Sequence, residues 1–223
     1  MVKHEEIKRR LIESAVHVVA RDGLDKTTTK AISKDSGLNE VYIYREFENK
    51  EDLLRAALNL EDRRFVYKVF SSLPVMHDAG LDWKERCYRL WKPVWEFVIG
   101  IPDDCLFYIR YYYSANFRQY AMEEHLACFR RIVRVAEPVF KRGVNISVLM
   151  HQLFETLLSY ASRVMEGFLK DDEDSCRIAF NQIYYFVVPH IREDVVNGAA
   201  VSNYVSDEIR RQVKEEEKRD PLV

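Results

Sequence analysis

Between Thr27 and Leu53 the sequence sets two short helical stretches around a glycine-centred turn, an arrangement that few folds accommodate. Thr27, Thr28 and Thr29 offer N-cap hydroxyls to a segment, KAISKDS, which Gly37 ends after barely two turns. Asn39 follows as a cap for EVYIYREF, and Asn49 with Asp52 three residues on marks the start of a long helix near Lys50. Ahead of them Ile7, Leu11, Ala15, Val18 and Val19 recur at helical spacing, in a helix expected over about residues 3–21 and stopped by Asp22-Gly23. Two short helices thus stand between two longer ones, as in a helix-turn-helix. In that geometry the second helix lies in the major groove with its N-terminal side chains at base edges, while hydroxyls and helix ends hold phosphates.

The rest of the chain reads as helix too. Seven glycines and six prolines in 223 residues leave few places to turn, and 48% apolar residues supply a core. The fold class is therefore all-α. The fourth helix carries Leu54, Leu58, Phe65 and Val69 inward, dissolves at Ser71-Ser72-Leu73-Pro74, and is expected to contain the domain boundary. Asp82 with Glu85 opens a helix bearing Leu90, Trp91, Val94 and Trp95, which Pro93 is expected to kink or break. Further helices are expected over about 103–118, 122–142, 147–169 and 174–190. Val201, Val205, Ile209 and Val213 draw a narrow stripe on a charged segment with Asp207 and Arg211 as an ion pair, suited either to a docked or partner-reaching helix or to a fraying tail.

Several function classes are excluded or disfavoured. Thirty-four Lys and Arg against thirty-six Asp and Glu give a net charge of −2, so any DNA contact must be local. The opening MVKHEEIKRR lacks an apolar h-region and no run approaches the ~20 apolar residues of a membrane span, so a soluble cytoplasmic protein with no membrane contact is expected. Cys87, Cys105, Cys128 and Cys176 are dispersed with no CxxC pair, as befits reduced core thiols. No GxSxG, Gly-rich phosphate loop or HExxH occurs, and neither Glu123-Glu124-His125 nor His151 with Glu155 has a convincing third ligand. No enzyme, metal or cofactor is expected.

The spacing T-T-x-x-x-I-A-x-x-A-G-V-S-x-x-x-[LIF]-Y-x-[HY]-F-x-x-K-x-x-L is met by Thr27, Thr28, Ile32, Ser33, Ser36, Gly37, Leu38, Asn39, Ile43, Tyr44, Glu46, Phe47, Lys50 and Leu53, with Ser33 and Ser36 for alanines and Glu46 for the aromatic or histidine. Over about its first 60 residues the chain resembles the tetracycline-repressor (TetR) family of bacterial transcription regulators. The resemblance implies a three-helix DNA-binding domain at residues 1–50 and a larger helical effector-binding and dimerisation domain at 51–223. It implies that Thr28, Thr29, Tyr44 and Lys50 meet phosphates of a palindromic double-stranded DNA operator, and that Lys30, Asn39, Glu40, Val41 and Tyr42 approach base edges. Val41 suits a thymine methyl and Glu40 a cytosine amino group. Residues 27–50 set Lys30, Lys34, Arg45 and Lys50 against Asp35, Glu40, Glu46 and Glu48, so a shallow salt dependence is expected.

The resemblance further implies a homodimer through the helices near 147–169 and 174–190, packed as a four-helix bundle. Leu149, Leu153, Leu157, Ala161, Val164 and Phe168 give the first an apolar face, and Ile178, Ile183, Phe186 and Val187 the second, though an intrachain core would read the same way. Aromatic residues crowd positions 83–117, as in either an effector pocket or a packed core; the pocket candidates are Trp91, Trp95, Tyr108, Tyr112, His151 and Glu155. The expected function is a ligand-responsive repressor, with repression by default and a small-molecule effector. A protein-interaction module on the same fold, with little specific DNA binding, is the alternative.

Overall fold

The computed structural model describes residues 2–198 and Arg211, and the stripe from Val201 to Val213, with its Asp207 to Arg211 pair, therefore lies outside the described residues apart from Arg211. Ten α-helices follow in order among them: α1 (Val2–Asp22), α2 (Thr29–Ser36), α3 (Val41–Glu46), α4 (Lys50–Ser72), α5 (Trp83–Gly100), α6 (Pro102–Tyr112), α7 (Met122–Ala136), α8 (Ile146–Met165), α9 (Glu173–Val187) and α10 (Glu193–Val196). The described residues form no β-strand; a single antiparallel bridge joins Phe140 to Ile191. The chain divides into two compact units. One holds the residues up to Asp62 together with Ile101–Leu126, the other Arg63–Gly100 and the residues from Ala127.

The first unit is built from α1, α2, α3, the front of α4, α6 and the start of α7. Leu11, Ala15, Val18 and Val19 of α1 are wholly or almost wholly buried, with α1 packed on α2 and α6. Ile32, Ile43, Leu54, Leu58 and Phe107 complete this core, each contributing about 1.5–3 kcal/mol by leaving water. The helix ends are closed by side chains. The Thr28 hydroxyl accepts from the Ala31 amide at 3.1 Å, Gly37 takes the left-handed conformation (φ +66°) that ends α2, and Arg10 Nη2 donates to the Ser36 carbonyl at 2.6 Å. Arg110 of α6 donates to the last carbonyls of α1, at 2.6 Å to Val19 and 2.9 Å to Ala20. Asn49 accepts from the Asp52 amide at 3.0 Å while Asp52 accepts from the Glu48 amide at 3.1 Å, a reciprocal cap on α4.

The second unit surrounds α5 with α8, α9 and the later turns of α4 and α7. Pro93 breaks nothing: α5 runs unbroken across it. An internal proline costs about 3 kcal/mol, and the burial of Trp91, Val94, Trp95 and Val98 on the same helix outweighs that. Several helices end sooner than the apolar pattern suggests. α6 stops at Tyr112, where the Ser114 hydroxyl donates to the Tyr111 carbonyl and accepts from the Phe117 amide, before a π-helical turn at Phe117–Ala121 leads into α7. α7 stops ahead of Pro138. α8 stops at Met165 because Gly167 (φ +76°) turns the chain left-handed, with the Phe168 and Leu169 amides both on the Arg163 carbonyl. Phe168 is thereby thrown to the surface rather than onto the apolar face of α8. α9 stops at Val187, ahead of Pro189.

The apolar residues of α9 serve two faces, not one. Phe180, Ile183 and Val187 turn into the unit, whereas Ile178, Tyr185 and Phe186 are exposed on the opposite side. Val148 is the matching exposed apolar residue on α8.

Candidate nucleic-acid interface and ligand cavity

VYIYRE is a poor helix former by composition, being β-branched and aromatic in four of its six positions. What holds α3 is tertiary: Ile43 is fully buried, Phe47 nearly so, and Lys8 Nζ lies 5.5 Å from the centre of the Phe47 ring. Glu46, standing where the pattern has an aromatic or histidine, is 1% exposed and held by His4 at 3.1 Å and Arg45 at 2.9 Å. Asn39 Oδ1 accepts from the Val41 amide at 3.0 Å and so caps the helix, leaving the Asn39 amide group free to donate outward.

On this scaffold Val41 and Tyr44 project together, one turn apart, at 69% and 60% exposure. A methyl-bearing and an aromatic side chain side by side on one helix face suit contact with base edges and backbone in a groove. Thr28 is exposed, and its capping role uses a lone pair, so its hydroxyl hydrogen remains to meet an anion. Lys30 is exposed beside it. The Thr29 hydroxyl donates to the Glu40 carboxylate, so these two side chains lock the start of α2 to the start of α3. Tyr42 is half-buried under the Arg45 guanidinium, 4.5 Å from its ring centre. Lys50 Nζ donates to the Thr27 carbonyl at 3.1 Å and sits 3.5 Å from Glu51, tying the start of α4 to the residues that precede α2.

The second unit holds a partly open cavity of about 270 Å³. Its walls come from α4 (Phe65, Val69), α5 (Trp83, Trp91), α7 (Phe129), α8 (Phe154) and α9 (Phe180), and every lining residue is buried or half-buried. Phe154 stands edge-on to Phe65 at 4.9 Å and to Phe129 at 5.0 Å. The Trp91 indole donates to the Cys176 carbonyl at 3.3 Å, and burial pushes the Cys87 thiol up to about 12, keeping it neutral.

Residues 11–57 match the sequence profile described as bacterial regulatory proteins, tetR family. Over that segment the chain is similar to the tetR family. Solved structures of tetR-family regulators share the fold over more than four-fifths of the chain: one from Marinobacter aquaeolei VT8 (19% identity, 83% of this chain and 97% of that one, TM-score 0.64) and one from Shewanella sp. PV-4 (16%, 84% and 99%, 0.65). The transcriptional regulator FadR from Bacillus subtilis, solved with stearoyl-CoA, is similar at 18% identity over 82% of this chain and 99% of that one, with a TM-score of 0.60. No curated protein matches the sequence.

Within the tetR-type segment the structure brings Thr28, Thr29, Lys30, Asn39, Glu40, Val41, Tyr42, Tyr44 and Lys50 onto α2, α3 and their flanks, with the outward and inward roles just described. The six candidate pocket residues do not converge. Trp91 lines the cavity; Trp95 is buried on α5 without lining it, and His151 and Glu155 lie on α8 outside its lining. Tyr108 and Tyr112 belong to the other unit. There the Tyr108 hydroxyl donates to Asp62, and His125 Nδ1 lies 3.0 Å from Asp62 Oδ1 and 3.1 Å from the Tyr108 oxygen, all three side chains buried. Sequence reading missed Phe65, Phe129, Phe154 and Met150 as cavity walls, because they are dispersed over three helices and only the density around 83–117 draws attention. Among the described residues no cluster of three His, Cys, Asp or Glu could hold a metal, and no helix is long and apolar enough to cross a membrane.

Proposed function

We propose that the chain is a ligand-responsive transcriptional repressor that binds an inverted-repeat operator as a homodimer. The observation that carries this reading is the outward pair Val41 and Tyr44 on the second helix of a tetR-type helix-turn-helix. Residues 1–50 form the DNA-binding part, and 51–223 the effector-binding and dimerisation part. Thr28, Thr29, Tyr44 and Lys50 serve phosphates; Lys30, Asn39, Glu40, Val41 and Tyr42 serve base edges. Thr29, Glu40 and Lys50 must exchange their internal bonds for DNA or act by holding the head together.

Dimerisation is assigned to the outer face of α8 and α9, where Val148, Ile178, Tyr185 and Phe186 are exposed. The cavity is assigned to the effector because apolar and aromatic side chains from five helices line it, as small-molecule sites are lined. α4 joins the two tasks: about 34 Å long, it starts at Lys50 beside the reading head and carries Phe65 and Val69 on the cavity wall. Occupancy that shifts α4 changes the spacing of two heads that must match half-sites about 34–36 Å apart. The test is operator binding by gel shift for the wild type and for Tyr44→Ala; loss of a sequence-specific complex in the variant supports the reading. The balance of four positive and four negative side chains over residues 27–50 favours a second reading, an interaction module without specific DNA binding, which predicts no specific complex in either.

A further inference from the structure

Resting on that assignment of the cavity to the effector, we infer that the effector is an uncharged, wholly apolar small molecule, held by shape and ring contacts with no ion pair. No cavity-lining side chain carries a charge. The polar atoms that its walls bring are few and neutral. The Trp91 indole is already spent on the Cys176 carbonyl, leaving the Cys87 thiol, the Trp83 indole and the Tyr184 hydroxyl.

A carboxylate, phosphate or ammonium entering such a space would give up its hydration with nothing to replace it, a cost that apolar contact elsewhere in a small ligand does not offset. The basin on the far side of Phe140 does not rescue a charged head either. It sets Lys141, Arg142 and Arg192 against Glu137, Glu193 and Asp194, with Arg192 paired to Asp194 and Lys141 3.8 Å from Glu193. Protein interiors are close-packed, and voids that stay open in an apolar core are dry and take up apolar guests. The Cys87 thiol, pushed up to about 12 by burial, is no thiolate nucleophile, so capture by covalent attack is not the mode of binding.

The test compares two probes with one aromatic body: uncharged N-phenyl-1-naphthylamine and its anionic counterpart 1-anilinonaphthalene-8-sulfonate. Each is titrated into the full chain and read by probe emission and by quenching of Trp83, Trp91 and Trp95. The uncharged probe is expected to bind saturably, one per chain, and the sulfonate at least tenfold more weakly. Ala136→Phe, or the milder Ala136→Leu, fills the void and is expected to weaken the uncharged probe at least tenfold in protein that still unfolds cooperatively. Equal or tighter binding of the sulfonate overturns the inference, as does an uncharged probe that fails to bind or ignores both filled variants. If the uncharged probe binds as expected but leaves operator binding unchanged, the chemical class of the guest stands and its role as effector fails.

Discussion

Val41 and Tyr44 contribute almost nothing to the fold, which is why they are the sharpest residue-level test of function. Both are more than half exposed on a six-residue helix whose stability comes from Ile43 and Phe47. Tyr44→Ala should lower operator affinity at least tenfold while leaving the urea midpoint within about 0.5 kcal/mol of wild type. Lys50→Met is the contrasting case. It should weaken binding across sequences, lower the salt slope by about one, and also cost about 1 kcal/mol of stability by removing the bond to the Thr27 carbonyl. These residues were legible because the pattern that names them is local: caps, a glycine and apolar spacing within 27 residues. What the sequence hid was direction. Nothing in TTTK or NEVY tells that Thr29 bonds Glu40 or that Lys50 folds back on Thr27.

A second residue makes the stability of the second unit depend on pH in acid. Lys92 first, at 2.7 Å, and then the Tyr88 hydroxyl hold the Glu173 carboxyl down at about 2. A depressed carboxyl stabilises the fold fully above its unfolded value near 4.5 and ceases to do so as pH falls through its folded value. The stability difference between wild type and Glu173→Gln, followed by denaturant titration, should therefore be constant above about pH 5 and vanish by about pH 2.

At the scale of elements, α4 and α7 are joined by chemistry that changes within one turn. In the first unit Asp62 of α4, His125 of α7 and Tyr108 of α6 form a buried polar cluster; in the second, Phe65 of α4 and Phe129 of α7 stack at 5.7 Å on the cavity wall. Truncating one member of a buried ionisable pair strands the other. His125→Ala should cost about 3–5 kcal/mol and Tyr108→Phe about 1–3 kcal/mol in urea unfolding. Equal and small effects from both would show that the cluster is hydrated and unimportant to packing. That these segments are helical was legible from periodicity, though the C-terminal ends of α6, α7 and α8 were not, and neither was this cluster: residues 62, 108 and 125 meet only through the packing of three helices, and Tyr108 read equally well as a pocket residue. Pro93 taught the same lesson in reverse, since local propensity argued for a kink or break and, with Trp91 and Trp95 buried on it, the helix runs unbroken. The early end of α8 came from Gly167, a signal present in the sequence but outweighed there by the apolar Phe168 and Leu169 beyond it.

For the whole molecule, the proposed function requires two copies to act on one stretch of DNA. Ile178, Tyr185 and Phe186 at i, i+7 and i+8 make an apolar face on α9 that is exposed among the described residues. Phe186→Lys with Tyr185→Arg should shift sedimentation from dimer to monomer and abolish high-affinity operator binding, because each half-site alone holds only a six-residue reading helix. A dimer that persists in this variant would move the interface elsewhere. Partners of this kind are invisible to periodicity alone, which cannot tell a face buried within the chain from one buried against a copy of it.

The most direct test of the central claim is selection of bound fragments from random DNA by the folded, purified protein at about physiological salt. The account predicts enrichment of an inverted repeat whose half-sites are separated by about one helical turn, or a small multiple of it, and loss of that enrichment in Tyr44→Ala. Recovery of no sequence above background would contradict it and favour the interaction module.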